Sequence, residues 1–240
     1  MEKGKQIYEG KAKIIYGTSD SALVIQYFKD DATAFDAQKR GTIVDKGIYN
    51  NKISTAIFKL LEKEGIATHF VRQISDREML VRKVKIFPLE VVVRNRIAGS
   101  LAKRFGMEEG GELPMPILEF FYKNDELHDP MINEDHIRAF GFATDDDLAY
   151  IKDIGLKVNG ILKRFFDKLG IILVDYKLEF GRAPFGPIYL ADEITPDGCR
   201  LWDKETLKKL DKDRFRRDLG EVEDAYQEVF KRVCNEARRV

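Results

Sequence analysis

The chain has 240 residues, 44% hydrophobic and 34% charged, with 41 Lys plus Arg against 41 Asp plus Glu. That composition suits a soluble globular protein of one large or two small domains, and its balanced charge argues against a dedicated nucleic-acid or membrane-surface binder. Two cysteines without CxxC spacing argue against a disulfide framework, no run reaches transmembrane length, and "MEKGKQIYEG" lacks a signal-peptide centre, so a reducing cytoplasm is the expected setting.

In chain order, "KQIYEGKAKIIYG" predicts two short strands around Gly10, and "ALVIQYF" a third. Lys11 and Lys13 share one strand face just after a glycine that permits a tight turn. They would cover a triphosphate, or simply be solvated on an edge strand. No Walker-type G-x-x-x-x-G-K-[ST] is present. Ile53, Ala56, Ile57, Leu60 and Leu61 form one helical face, which Gly65 ends. "THFVRQI" and "EMLVRKVKIF" return to strand, and Pro88 marks a boundary. "LEVVVRN" is then a strand running into a short helix, "GSLAKRFG", with Ser100 as N-cap and Gly106 as stop.

Residues 106–143 read as irregular, rich in Gly, Pro, Asn and Asp. Thr144 and Asp147 have capping-box spacing and open the longest helix, striped by Leu148, Ile151, Val158, Leu162, Phe165 and Leu169 and ended by Gly170. The strands "IILVDYKLEF" and "IYLADEI" follow, and a C-terminal helix buries Val222, Ala225, Tyr226, Val229, Phe230 and Val233. Strands first, then mixed strands and helices, predict an α+β protein with two lobes and a ligand cleft between them.

Several stretches carry candidate chemistry. In "LVDYKLEFG", Asp175, Lys177 and Glu179 recur at period two and share one strand face, with Val174, Tyr176, Leu178 and Phe180 on the other. A salt-bridged surface would give the same pattern. If the next strand pairs as a hairpin across "GRAPFGP", Glu179 approaches Asp192, and two converging carboxylates call for a cation. With three histidines and no H-x-x-x-H pair, that cation is expected to be oxygen-ligated Mg²⁺ rather than zinc. Arg94, beside a helix start at Gly99 and Ser100, suits a phosphate monoester, though a solvated strand edge is the alternative. "TPDG" is a tight turn in which Asp197 has the usual turn role, and Arg200 follows within reach of the same anion as Arg94. Arg214, Arg216 and Arg217 read as a solvated face, and His128 and Cys199 as structural.

"FPLEVVVRNRIAGS" and "LVDYKLEFG" resemble the two signature stretches of the SAICAR synthetase family of purine biosynthesis. "YEGKAK", "KNDELHDPM" and "DEITPDGCRLWDKETLKKLDKDRFR" fit the same family in order, so the resemblance spans nearly the whole chain. It implies an ATP-dependent ligase that joins a carboxylated aminoimidazole ribonucleotide (CAIR) to L-aspartate through an acyl phosphate. It further implies a kinase-N-lobe-like domain over residues 1–87 and a larger ATP-grasp-like domain over 88–240, with ATP between them. On this basis Lys11, Ala12 and Lys13 bind ATP phosphates, and the backbone of Lys83, Val84, Lys85 and Ile86 binds adenine. Glu179 and Asp192 hold Mg²⁺, with Asp36 and Glu90 as candidates for a second ion. Lys177 steadies the transferring phosphoryl group. Arg94, Ser100 and Arg200 hold the CAIR phosphate and Asp197 its ribose, while Asp175 either contacts metal-bound water or orients Lys177. A homodimer is expected. A kinase-like phosphotransferase and a non-catalytic nucleotide-binding regulator are the competing readings. The first lacks H-R-D and D-F-G signatures, and the second has no need of an Arg94–Ser100 anion site.

Overall fold

The computed structural model describes residues 2–34, 39–184 and 186–237. Asp36 lies outside them. The three predicted strands, β1 (Lys3–Glu9), β2 (Lys13–Thr18) and β3 (Leu23–Phe28), pair as an antiparallel meander. A separate hairpin, β4 (Asp31–Ala34) and β5 (Lys39–Thr42), leads into helix α1 (Lys46–Lys63). Of the predicted apolar stripe of α1, Ile53, Ile57 and Leu61 are buried and Ala56 and Leu60 half-buried, and Phe58, outside that stripe, is buried as well. The chain leaves this helix through Gly65 at φ +83°, a left-handed conformation open to glycine at no steric cost. Strands β6 (Phe70–Gln73) and β7 (Glu78–Arg82) complete an antiparallel five-stranded sheet in the order β1-β2-β3-β7-β6.

The predicted strand "EMLVRKVKIF" breaks after Arg82. Its second half, β8 (Lys85–Ile86), joins the next sheet, so residues 83–84 cross from one lobe to the other. β9 (Leu89–Arg96) and α2 (Gly99–Phe105) follow as expected. α2 ends on Gly106 in the left-handed region.

The stretch 106–143 is not irregular. It contains the 11-residue strand β10 (Glu112–Tyr122), a 3-10 turn, β11 (Met131–Ile132) and α3 (Glu134–Ala139). Pro114 and Pro116, which signal loop, lie where the β9–β10 register slips between Glu112 and Ile117. A proline has no N–H to give a ladder, but a bulge does not ask for one. Beyond it, Ile117–Tyr122 pairs regularly with Arg94–Leu89.

Helix α4 (Asp145–Lys168) starts with the predicted capping box: Asp147 N–H donates to Thr144 Oγ1 and Thr144 N–H to Asp147 Oδ2, both 3.2 Å. Its buried stripe covers β12, β9 and β10. The 12-residue strand β12 (Ile171–Arg182) is the hub of the larger sheet. It pairs with β9, β8, β13 (Ile188–Ala191) and β14 (Cys199–Asp203), the last a strand the sequence reading missed. The short helix α5 (Asp213–Arg216) precedes α6 (Val222–Ala237), which returns to pack on α1.

The result is the expected α+β, two-lobed architecture. One apolar core runs under both sheets, from Phe28 and Phe58 through Val91 and Val93 to Tyr176, Leu178 and Leu190. The sheets meet where Thr68 bridges Leu190 in parallel, with His69 N–H donating to the Leu190 carbonyl at 2.9 Å. Cys199 is buried, and no helix among the described residues is long and apolar enough to cross a membrane.

Candidate active site

β12 delivers its charged face as the period-two reading requires. Asp175 and Glu179 are buried, and each of the three charged side chains points into a cluster of opposite charge. In the hairpin, Glu179 lies opposite Ala191, so the next residue, Asp192, arrives beside it. Lys177 Nζ lies 3.1 Å from Glu90 and 3.6 Å from Asp192, and it also donates to Glu179. Lys123 donates to Glu179 at 2.7 Å, while Lys13 pairs with Asp192 and lies 3.1 Å from Glu193. Three lysines and four carboxylates thus converge at the seam between the lobes. Burial works against the charge on Lys177, but Glu179, Asp192 and Glu90 outweigh it and hold the ammonium protonated well above the usual lysine range. The same balance, led by Asp192, raises Lys13. Both are therefore fixed cations, suited to holding phosphoryl oxygens rather than to moving protons.

Asp192 adopts φ +62°, unusual for a residue with a side chain, and its carbonyl accepts Gln26 Nε2 at 3.3 Å. The buried His69 ring also bonds the Asp192 backbone. Burial pushes His69 down to about 3. An unfolded histidine binds a proton below about 6.5 while the folded one does not, so stability falls as pH drops through that window. Wild type is expected to lose about 2 kcal/mol of unfolding free energy from this group between pH 7 and pH 5. His69→Gln should flatten that part of the profile in urea titrations; an unchanged slope would show that His69 is not the group responsible.

A second cluster lines a cavity of about 410 Å³ on the other side of Lys177. Arg94, only 2% exposed, donates through Nε to Glu119 at 2.7 Å and through its two terminal nitrogens to Asp175 and Ser100, both at 2.9 Å. Arg200 donates to Asp175 at 2.8 Å and to Asp213 at 3.0 Å. Gly99 sits at φ +54° against the Arg200 guanidinium, where any side chain would collide with it. Arg94, Ser100 and Arg200 therefore converge as expected. Ser100 is not the helix N-cap, however. Ala98 holds that position, and the Ser100 hydroxyl is used on Arg94 instead. Asp175 is the carboxylate that ties the two arginines together.

Lys11 and Lys13 do not converge on one point. Lys11 lies in the turn and lines the cavity, 2.8 Å from Asp125, and of the two only Lys13 enters the carboxylate cluster. The Ala12 carbonyl accepts Lys29 N–H at 2.8 Å. Lys83 N–H donates to the Ala22 carbonyl at 2.8 Å, Val84 packs on Gly181, and Lys85 and Ile86 pair with Arg182 and Gly181. Asp197 lines the cavity, with Lys46, Asn50 and Tyr226 behind it.

Sequence reasoning missed Lys123 and Asp129, although both lie in the quoted "KNDELHDPM". Of Arg214, Arg216 and Arg217, expected on a solvated face, only Arg217 is exposed. Arg214 is buried on the carbonyls of Leu219 and Gly220, and Arg216 lines the cavity. Cys199, set aside as structural, also lines it.

Among the described residues, no three His, Cys, Asp or Glu side chains form a self-sufficient metal cage. The hard oxygen donors of Glu179 and Asp192 nevertheless fit Mg²⁺, which commonly uses one or two protein carboxylates and completes its shell with phosphate and water.

A family model described as SAICAR synthetase matches residues 6–233. The chain is 59% identical over 233 residues to the phosphoribosylaminoimidazole-succinocarboxamide synthase of Desulfitobacterium hafniense strain Y51, across 97% of this chain and 98% of that one. The solved synthase from Ehrlichia chaffeensis superposes with a TM-score of 0.94 at 50% identity, covering 95% of this chain and 98% of that one. A SAICAR synthetase solved in complex with ADP gives 0.92 at 52% identity, covering 95% and 97%. The chain belongs to the SAICAR synthetase family.

Proposed function

We propose that this chain joins CAIR to L-aspartate, driven by ATP, releasing SAICAR, ADP and phosphate. One observation carries the reading: Lys177 stands between a lysine–carboxylate cluster suited to a nucleotide polyphosphate and an Arg–Ser–Arg cluster suited to a phosphate monoester. An ATP-dependent step on a phosphorylated substrate needs both anion sites at one reacting centre.

A carboxylate is a poor acyl donor because its leaving group would be oxide or hydroxide. Phosphorylation of the CAIR carboxylate by ATP gives an acyl phosphate and ADP. The aspartate amine then attacks the acyl carbon, phosphate leaves with the former carboxylate oxygen, and the amine loses a proton. Glu179 and Asp192 would hold Mg²⁺ on the nucleotide, where it supplies charge neutralisation of the phosphates, and Glu90 is a candidate for a second ion. Lys13 and Lys177 neutralise and orient the phosphoryl oxygens. Arg94, Ser100 and Arg200 grip the CAIR phosphate, and Asp175 fixes both forks for that grip. Asp197 faces the ribose, and the backbone of residues 83–86 faces adenine. Lys11 and Ala12 stand at the phosphate cover. The assignment of Asp36 to a second ion lies outside the described residues. In this reading residues 1–87 cover ATP, residues 88–240 carry the substrate and metal sites, and the enzyme works in the cytoplasm as a homodimer.

Purified protein should release ADP only when ATP, Mg²⁺, CAIR and L-aspartate are all present. Equal ADP release without aspartate would favour a phosphotransferase. Turnover with a different amino acid in place of aspartate would overturn the substrate assignment.

A further inference from the structure

Asp197 occupies the turn between β13 and β14 and lines the cavity. Its carboxylate is gripped from behind by three donors. Lys46 Nζ and Asn50 Nδ2 reach Oδ2 at 2.6 and 3.1 Å, and Tyr226 Oη reaches Oδ1 at 2.5 Å. Lys46 and Tyr226 are wholly buried, and Asn50 is 1% exposed. The donors come from two helices far apart in sequence: α1 supplies Lys46 and Asn50, and α6 supplies Tyr226. Burial works against charge on Asp197, but Lys46 and Lys212 outweigh it and hold the carboxyl below the usual range.

Two helices could be joined more simply. Apolar side chains of similar volume usually stabilise such a contact at least as well as a buried ion pair. A carboxylate offers about four acceptor positions, of which these donors use three. The remaining capacity belongs to the carboxylate that borders the cavity. Its orientation is fixed before any ligand arrives, which favours a donor group presented in one geometry.

We propose that Lys46, Asn50 and Tyr226 are positioning residues for the nucleotide substrate: they set Asp197 as a rigid acceptor for one sugar hydroxyl, which makes the C-terminal helix part of the site. This rests on the reading of the cavity as the CAIR site. Tyr226→Phe removes a single oxygen and keeps the ring in the core.

The test is CAIR binding measured by calorimetry, alongside steady-state kinetics. Tyr226→Phe is expected to weaken CAIR about 10-fold, in line with the loss of a hydrogen bond to a charged group, with KM for ATP unchanged. Asp197→Asn should weaken CAIR more, and adding Tyr226→Phe to it should cost nothing further, because Tyr226 acts only through Asp197. Unchanged CAIR affinity in Tyr226→Phe with a lowered melting temperature would overturn the proposal and leave the network as a tie between helices. Full additivity of the two substitutions would also overturn it. If wild type binds CAIR and makes SAICAR while either result is seen, only this inference fails. If wild type does not bind CAIR, the functional reading fails with it.

Discussion

Asp192→Asn is expected to lower turnover by about 10²–10³-fold, the range seen when one preorganised electrostatic group is removed from a reacting centre. Asp192 meets Lys13 and Lys177 together, and in the proposed reaction its charge would keep the two ammonium groups in register with the phosphoryl path. Burial alone would raise its carboxyl, but Lys13, Lys177 and Lys123 outweigh burial and hold it below the usual range. It is therefore ionised throughout the working pH range and available to a hard cation. Asparagine keeps the shape and the backbone at φ +62°, a conformation it tolerates better than most residues. The variant should accordingly fold, give a near-native circular dichroism spectrum and fail in single-turnover ADP formation. A near-normal rate would remove Asp192 from the metal and phosphoryl roles.

Arg94→Met should damage both stability and substrate binding. The arginine is buried between Glu119 and Asp175, so methionine fills most of the volume but leaves two buried carboxylates short of a partner. Breaking a buried pair in this way costs about 3–5 kcal/mol. Arg104 on Glu119 and Arg200 on Asp175 remain, which places the expected loss at the lower end of that range. KM for CAIR should rise at least about 10-fold, since charge-assisted bonds are the strong ones. Arg94→Lys keeps a charge but loses the fork, and it should recover part of the stability and little of the affinity. Urea unfolding and CAIR titration read the two effects separately. A stable variant with unaltered CAIR KM would show that Arg94 serves neither purpose.

Much of this was legible in the sequence because periodicity carries direction. Alternation in 173–181 put Asp175, Lys177 and Glu179 on one face, and the strand keeps them there. Helices α1, α4 and α6 were legible from their apolar stripes, and α4 also from a cap that forms as written. What was lost depended on long-range pairing. β10 hides behind two prolines that a bulge accommodates, and β14 is five residues long with no alternation of its own until β12 lies beside it. The contacts of Asp175 and Ser100 were not legible for the same reason: each bonds an arginine, Asp175 two of them, and those contacts exist only once β9, β12 and β14 are assembled. The burial of Arg214 was invisible too, because its partners are backbone carbonyls, which leave no mark in composition.

In the proposed reaction ATP activates the CAIR carboxylate for attack by aspartate. This step is tested most directly by supplying CAIR labelled with ¹⁸O in that carboxylate and analysing the released phosphate by mass spectrometry. One ¹⁸O is expected in each phosphate formed alongside SAICAR, carried from the carboxylate through the acyl phosphate. Phosphate free of label, with SAICAR still produced, would contradict this step.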